Sequence, residues 1–209
     1  MSEEMVNLPK RGLYAITPET SDLHELPRLV APVLRGGAAV LQFRDKSLEH
    51  ELRRQVAAEL KHQCDEYGVT FIVNDDASLA AAIGADGVHV GKDDAALGVA
   101  RSAVPDGIVG VSCYNDAWRA TQAIEDGADY VAYGSFFPSL TKPGAVRASL
   151  ELVRDSRDAL SRPLVAIGGI TVENAPGLIA AGVDFVAVIN ALFQAPSPEK
   201  AAQHFAALF

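Results

Sequence analysis

Cysteine is scarce in this sequence: Cys64 and Cys113 are the only two among 209 residues. Two thiols are too few for a disulfide framework, and the count fits a reducing cytoplasm. Long apolar runs are lacking too. No stretch reaches the ~18 residues that a membrane span needs. The opening, MSEEMVNLPK, is acidic and has no apolar centre, which excludes a secretory signal and leaves residues 1–10 as a short tail. Positive charge is in deficit, with a formal net charge of −9. General nucleic-acid binders are usually basic, so that class is set aside. A phosphorylated substrate is not excluded, because local charge decides binding.

What the chain does have is apolar surface to bury. Hydrophobic residues make up 49% and charged residues an ordinary 22%. Those proportions indicate a soluble globular protein rather than a disordered one. The length suits one large core better than two.

Four stretches echo one another: GGAAV at 36, GADGV at 84, GADYV at 127 and GVDFV at 182. Each follows an Ala- and Leu-rich segment and precedes a β-branched or aromatic run. A glycine just past a helix supplies the left-handed cap, and a strand follows. The same join, less alike, occurs in YGVTFIV at 67–73. Strands are then expected near 12–17, 39–45, 70–75, 87–91, 108–113, 130–136, 163–169 and 185–191. Helices are expected near 22–35, 47–66, 76–83, 94–103, 115–126, 148–160, 172–181 and 197–207. Eight alternations predict an α/β fold of the (β/α)8 TIM barrel type, a single domain over residues 11–209. A doubly wound open sheet is the alternative, but GLYAITPET is not its Gly-rich first loop.

Barrels of this kind keep their chemistry at the carboxyl ends of the strands. Strand 2 ends with Gln42, Arg44 and Lys46 on one parity, while Leu41 and Phe43 occupy the other. The polar three therefore point into the mouth. A solvated rim with surface ion pairs explains any one of them; three together favour an anion site, since Arg forks onto phosphate and Lys brings a point charge. Strand 3 ends in Asn74, Asp75 and Asp76. Helix capping accounts for one of these but not for three. Strand 4 reads GVHVGKDD: His89 points inward between Gly87 and Gly91, with Lys92, Asp93 and Asp94 at the rim. Carboxylates beside a polyanion repel it unless a cation intervenes. Magnesium, held by one or two carboxylates plus substrate phosphates, resolves the conflict.

Strand 5 brings Ser112, a possible donor, and Cys113, which has no evident base partner and reads as packing. The loop after strand 6, FFPSLTKPGA, carries Ser139, Thr141 and Lys142; it is either a plain surface loop or one that reaches phosphate. Strand 7 ends AIGGI, where Gly168 and Gly169 open the backbone to a ligand, and strand 8 ends AVINALF. Loops after strands 7 and 8 often bind phosphate through helix N-terminal amides. Two anion sites are expected, one charged and one built of backbone.

With QFRDK, IVNDD, GVHVGKDD, GVS, TKPGA and AIGGI in this order from about Gly12 to Phe209, the sequence resembles the thiamine phosphate synthase family. The resemblance implies that a pyrimidine pyrophosphate is joined to a thiazole phosphate with release of pyrophosphate and help from Mg2+. It implies that Gln42, Arg44, Lys46 and Asn74 hold the pyrimidine pyrophosphate, and that Asp75 and Asp94 bind the metal. Ser112 and Lys142 would contact the pyrophosphate as the catalytic pair. Ser139, Thr141 and Gly169 go with the thiazole phosphate. Three departures stand out: Lys92 replaces a common Gln, many members have a His near Tyr114 that is missing here, and Asn190-Ala191-Leu192 stands where many members have Ser-Ala-Ile. The last leaves phosphate to the backbone amides of Asn190 and Ala191. Two rivals remain: a thiazole tautomerase on the same barrel, and a non-catalytic sensor of a phosphorylated ligand. Partners are small molecules, with no nucleic acid and no membrane; a homo-oligomer is left open.

Overall fold

Eight short runs rich in β-branched and aromatic residues form strands: β1 (Gly12–Ile16), β2 (Val40–Phe43), β3 (Thr70–Asn74), β4 (Gly87–Val90), β5 (Ile108–Tyr114), β6 (Tyr130–Gly134), β7 (Leu164–Ile167) and β8 (Phe185–Val188). Each pairs in parallel with the next, and β8 pairs with β1, so the sheet closes into a barrel. The computed structural model describes residues 8–20, 22–45, 50–91, 94–138 and 146–209, and for residues 23, 94 and 95 the backbone alone.

The outer layer is α1 (Leu26–Arg35), α2 (His50–Tyr67), α3 (Ala77–Ile83), α4 (Asp94–Ala103), α5 (Ala117–Glu125), α6 (Leu150–Ala159), α7 (Ala175–Ala181), α8 (Asn190–Phe193) and α9 (Pro198–Ala206). None of the described helices is long and apolar enough to cross a membrane. The expected barrel is therefore present, with differences at element ends. The stretch Leu23–Glu25 is a 3-10 turn, and α1 starts only where Pro27 can occupy its first turn. β8 stops at Val188 instead of 191, because Asn190–Phe193 winds into the one-turn helix α8. β2 stops at Phe43, and the backbone of Arg44 instead exchanges hydrogen bonds with the Thr17 hydroxyl.

Period-two alternation divides the strand residues between two cores. Leu13, Leu41, Phe71, Val88 and Val131 face outward and pack against helix residues such as Val30, Leu60 and Val153. Tyr14, Val40, Ile72, Ile108, Tyr130 and Phe185 fill the barrel interior. Two tyrosines fit there because a neighbouring inward position is empty of side chain. A Cβ on Gly110 would lie 2.0 Å from the Tyr130 ring.

The echoed motifs have a structural purpose. In GADGV, GADYV and GVDFV the aspartate sits just before an even-numbered strand. Its carboxylate accepts the backbone N–H of the preceding strand: Asp86 from Phe71 at 2.7 Å, Asp129 from Val109 at 2.8 Å, and Asp184 from Leu164 at 2.8 Å. Each aspartate also meets a cation from an even-numbered helix: Lys61 at 3.4 Å, Arg101 at 2.6 Å and Arg157 at 2.7 Å. Helix, loop and sheet are thus tied together at the amino end of the barrel, away from the mouth. The fourth copy, GGAAV, has Ala39 in the aspartate's place. There a Cβ on Gly12 would lie 2.7 Å from that of Ala39, so the close approach of these two strands requires glycine at position 12.

Replacing Asp129 by Ala leaves the Arg101 fork and the Val109 amide without this acceptor. Such a loss costs about 2 kcal/mol. A lowered urea midpoint at unchanged slope is the expected result, and an unshifted midpoint would show that the clamp contributes nothing.

Candidate active site

The carboxyl ends of the strands surround two adjoining hollows. The deeper is a cavity of about 370 Å³ with mostly apolar walls, including Ile16, Ala132, Val165 and Ile167. The shallower is polar and is lined by Arg44, Arg53, Asn74, Asp75 and Asp76. Arg44, Asn74, His89, Ser112 and Tyr114 border both, so they mark the junction.

A row of hydrogen bonds crosses the floor of the deep cavity. Gln42 Nε2 donates to Tyr14 Oη at 2.9 Å. The Tyr14 and Tyr130 hydroxyls lie 2.8 Å apart. Tyr130 Oη is 2.9 Å from His89 Nδ1, and His89 Nε2 is 2.8 Å from Ser112 Oγ. The His89 and Tyr130 rings stack at 5.6 Å. Burial raises both phenols above the ordinary tyrosine range and pulls His89 down to about 4. The floor is therefore polar but uncharged at neutral pH.

The shallow hollow is charged. Asp75 is exposed and adopts a left-handed backbone, φ 61°, which is uncommon outside glycine and Asx residues. Its N–H donates to His89 O at 2.8 Å, and Asn74 Nδ2 donates to its Oδ2 at 2.7 Å. Asp76 turns the other way, capping α3 through Leu79 N at 2.9 Å and pairing with Arg53 at 3.1 Å. Of the three polar residues ending β3, one is thus a cap, while Asn74 and Asp75 face the mouth. Arg44 sits at the rim with its guanidinium 2.8 Å from Glu19. Tyr114 also has positive φ, 56°, beside a register shift between Ser112 and Tyr114. Ordinary strand alternation turns Ser112 inward and buries Cys113 outward, and the shift follows at the strand end.

Across the mouth, Gly168 (φ 105°) and Gly169 (φ 65°) lie against the chain after β6. A Cβ on Gly169 would fall 2.3 Å from Pro138 O. Asn174 secures this turn by accepting from Thr171 N and donating to Gly169 O. Asn190 and Ala191 open α8, so their amides point out of its first turn.

The barrel thus brings Gln42, Arg44, Asn74, Asp75, Ser112, Gly169, Asn190 and Ala191 to one mouth. Lys46, Lys92, Asp93, Ser139, Thr141 and Lys142 lie outside the described residues, as does the side chain of Asp94. Among the described residues, no group of three His, Cys, Asp or Glu could hold a metal by itself. Sequence reasoning missed Tyr14 and Tyr130. Their signal was available: each has inward parity on its strand, in GLYAI and YVAYG.

Comparison with known proteins agrees with this geometry. A family model described as thiamine monophosphate synthase matches residues 13–192. The chain is 48% identical to a thiamine-phosphate synthase of Thioalkalivibrio sulfidiphilus, over 95% of each chain. It is 50% identical to one of Halorhodospira halophila, over 94% of this chain and 93% of the other. Among solved structures it superposes on a thiamine phosphate pyrophosphorylase from Pyrococcus furiosus with a TM-score of 0.85 and 34% identity, covering 95% of both chains. A 3-hexulose-6-phosphate synthase, at 19% identity and TM-score 0.70, shares the fold alone.

Burial pushes the Cys113 thiol up to about 12, so it stays neutral at ordinary pH and is a poor nucleophile. Cys64 is buried as well, with its pKa also raised. A thiol-specific reagent at pH 8 is expected to find neither cysteine in the folded protein and both after unfolding in urea. Rapid labelling of Cys113 in the folded state would contradict its packing role.

Proposed function

The chain belongs to the thiamine monophosphate synthase family, and from that premise we propose how its mouth joins two substrates. The reaction condenses 4-amino-2-methyl-5-hydroxymethylpyrimidine pyrophosphate with 4-methyl-5-hydroxyethylthiazole phosphate. The bond between the pyrimidine methylene carbon and the pyrophosphate oxygen breaks, and its electron pair leaves with the oxygen. The thiazole nitrogen lone pair then forms the new carbon–nitrogen bond. No proton moves in either step, so no general base is needed.

The observation that carries this reading is the junction. A cavity with an uncharged floor, sized for a small ring, opens directly onto a rim of cation, amide and carboxylate, with Arg44, Ser112 and Asn74 shared between them. The pyrimidine ring occupies the cavity over Gln42. Its pyrophosphate lies on the rim against Arg44, Asn74 and Ser112, with Lys46 and Lys142 as further cations. The thiazole phosphate takes the backbone side: Gly169 and the amides of Asn190 and Ala191, with Ser139 and Thr141.

The donor set suits magnesium. Asp75 presents an exposed carboxylate whose Oδ1 would lie 3.7 Å from a Cβ on Gly91, so glycine leaves the space beside it open. Magnesium is commonly held by one or two carboxylates, with substrate phosphates and water completing the shell. Asp75 and Asp94 would hold it, and once bound it neutralises charge developing on the departing pyrophosphate. Arg44, Ser112 and Lys142 act on the same oxygens, where hydrogen bonds strengthen as the bond breaks. Both substrates over one mouth supply the orientation. The two buried free thiols suit a reducing cytoplasm.

Pyrophosphate release, assayed with both substrates and magnesium, is the direct test. A tautomerase would turn over thiazole phosphate alone, and a sensor would release nothing. Asp75→Ala is expected to abolish magnesium-dependent turnover while leaving the thermal midpoint within a few degrees. Full activity in that variant would discard the metal assignment. Ser112→Ala should lower kcat at least tenfold, the scale of one lost donor to a developing anion.

A further inference from the structure

The row on the cavity floor has a direction. A phenol has one proton to donate. Tyr14 already receives a proton from Gln42 Nε2 at 2.9 Å, so its own goes to Tyr130, 2.8 Å away. Tyr130 must then donate to His89 Nδ1 at 2.9 Å. A neutral imidazole that accepts at Nδ1 carries its proton on Nε2. That nitrogen is 2.8 Å from Ser112 Oγ and therefore donates to it. The Ser112 hydroxyl is left with its own proton, and it lines the charged hollow.

We propose that His89 is a positioning residue which, through this one-way row beginning at Gln42, holds the Ser112 hydroxyl as a hydrogen-bond donor toward the leaving pyrophosphate. The inference rests on the reading above that Ser112 meets that group. With the row reversed, Ser112 would give its proton to His89 and turn lone pairs toward a polyanion. Burial supports the arrangement, since it keeps the imidazole neutral and able to accept. A protonated ring would donate at both nitrogens and collide with the Tyr130 proton. Gln42 thus has two duties: it borders the cavity, and the way its amide faces decides which end of a row on the far strand carries a free proton.

The test is the tautomer of His89, read from the 15N shifts of its two ring nitrogens in the full protein. The other histidines, His24, His50, His62 and His204, are exposed, so the buried ring stands apart. A proton on Nε2 supports the proposal; a proton on Nδ1 overturns it, and this measurement needs no variant. Gln42→Glu, at a pH where the new carboxylate is ionised, should reverse the row and move the proton to Nδ1. An unchanged tautomer there overturns the inference. For affinity, magnesium pyrophosphate is the probe. His89→Leu should weaken it about tenfold, and His89→Gln, which keeps a donor near the Nε2 position, should restore most of it. Equal losses in both variants overturn the proposal. Unchanged affinity in Ser112→Ala removes the contact on which the inference rests, and the tautomer separates that failure from failure of the row itself.

Discussion

Side chains on a strand alternate between two faces, and in a closed parallel barrel the two faces have different fates. One is sealed under helices and the other is crowded into a narrow interior. Every second residue must therefore be apolar for the helices, whatever else the protein does. The remaining residues can carry chemistry only near the strand ends, where the interior opens. Gln42, His89 and Ser112 occupy such positions between outward neighbours that are buried and apolar, and Asn74 follows the buried Val73 at the end of its strand. Function is placed by the same parity that builds the core.

That constraint explains how much was legible in advance. The eight alternations and the inward parity of Gln42 and His89 follow from residue type and spacing, which a linear sequence displays. Element ends do not. β8 gives way to α8 after Val188 because the chain must leave the barrel there, a matter of three-dimensional closure. The three polar residues after β3 look alike in sequence, yet Asp76 is claimed by α3 and Arg53 while Asp75 turns outward. Tyr14 and Tyr130 went unnoticed because two tyrosines 116 positions apart give no sign that they touch. Only closure of the barrel, which turns both side chains into one interior, and the empty side of Gly110 bring their hydroxyls together.

The two ends of the barrel divide the work. At the amino end, Asp86, Asp129 and Asp184 each join a strand amide to a helix cation, and their charges are matched locally. At the carboxyl end, charges are brought together without all being matched to one another. Arg44 meets Glu19, while among the described residues Asp75 is supported by the neutral Asn74 amide and the backbone of His89. A chain of net charge −9 can therefore still offer a polyanion a site, since local charge decides binding and Asp86, Asp129 and Asp184 are paired far from the mouth.

The neutrality of the floor has a chemical consequence for the proposed reaction. When pyrophosphate departs with its electrons, the pyrimidine methylene becomes strongly electrophilic. Any free lone pair on a basic side chain nearby would compete with the thiazole nitrogen. His89 is the strongest such base on the floor, and both its nitrogens are engaged, one by the Tyr130 hydroxyl and one by Ser112. Tyr14 and Tyr130 are held protonated by burial, so neither is a phenolate. Charge is kept on the rim, where it draws the leaving group, and nucleophilicity is kept off the floor, where it would consume the intermediate. A site with charged groups in both places would ionise the substrate as readily and then trap it; this arrangement leaves the second substrate as the available nucleophile.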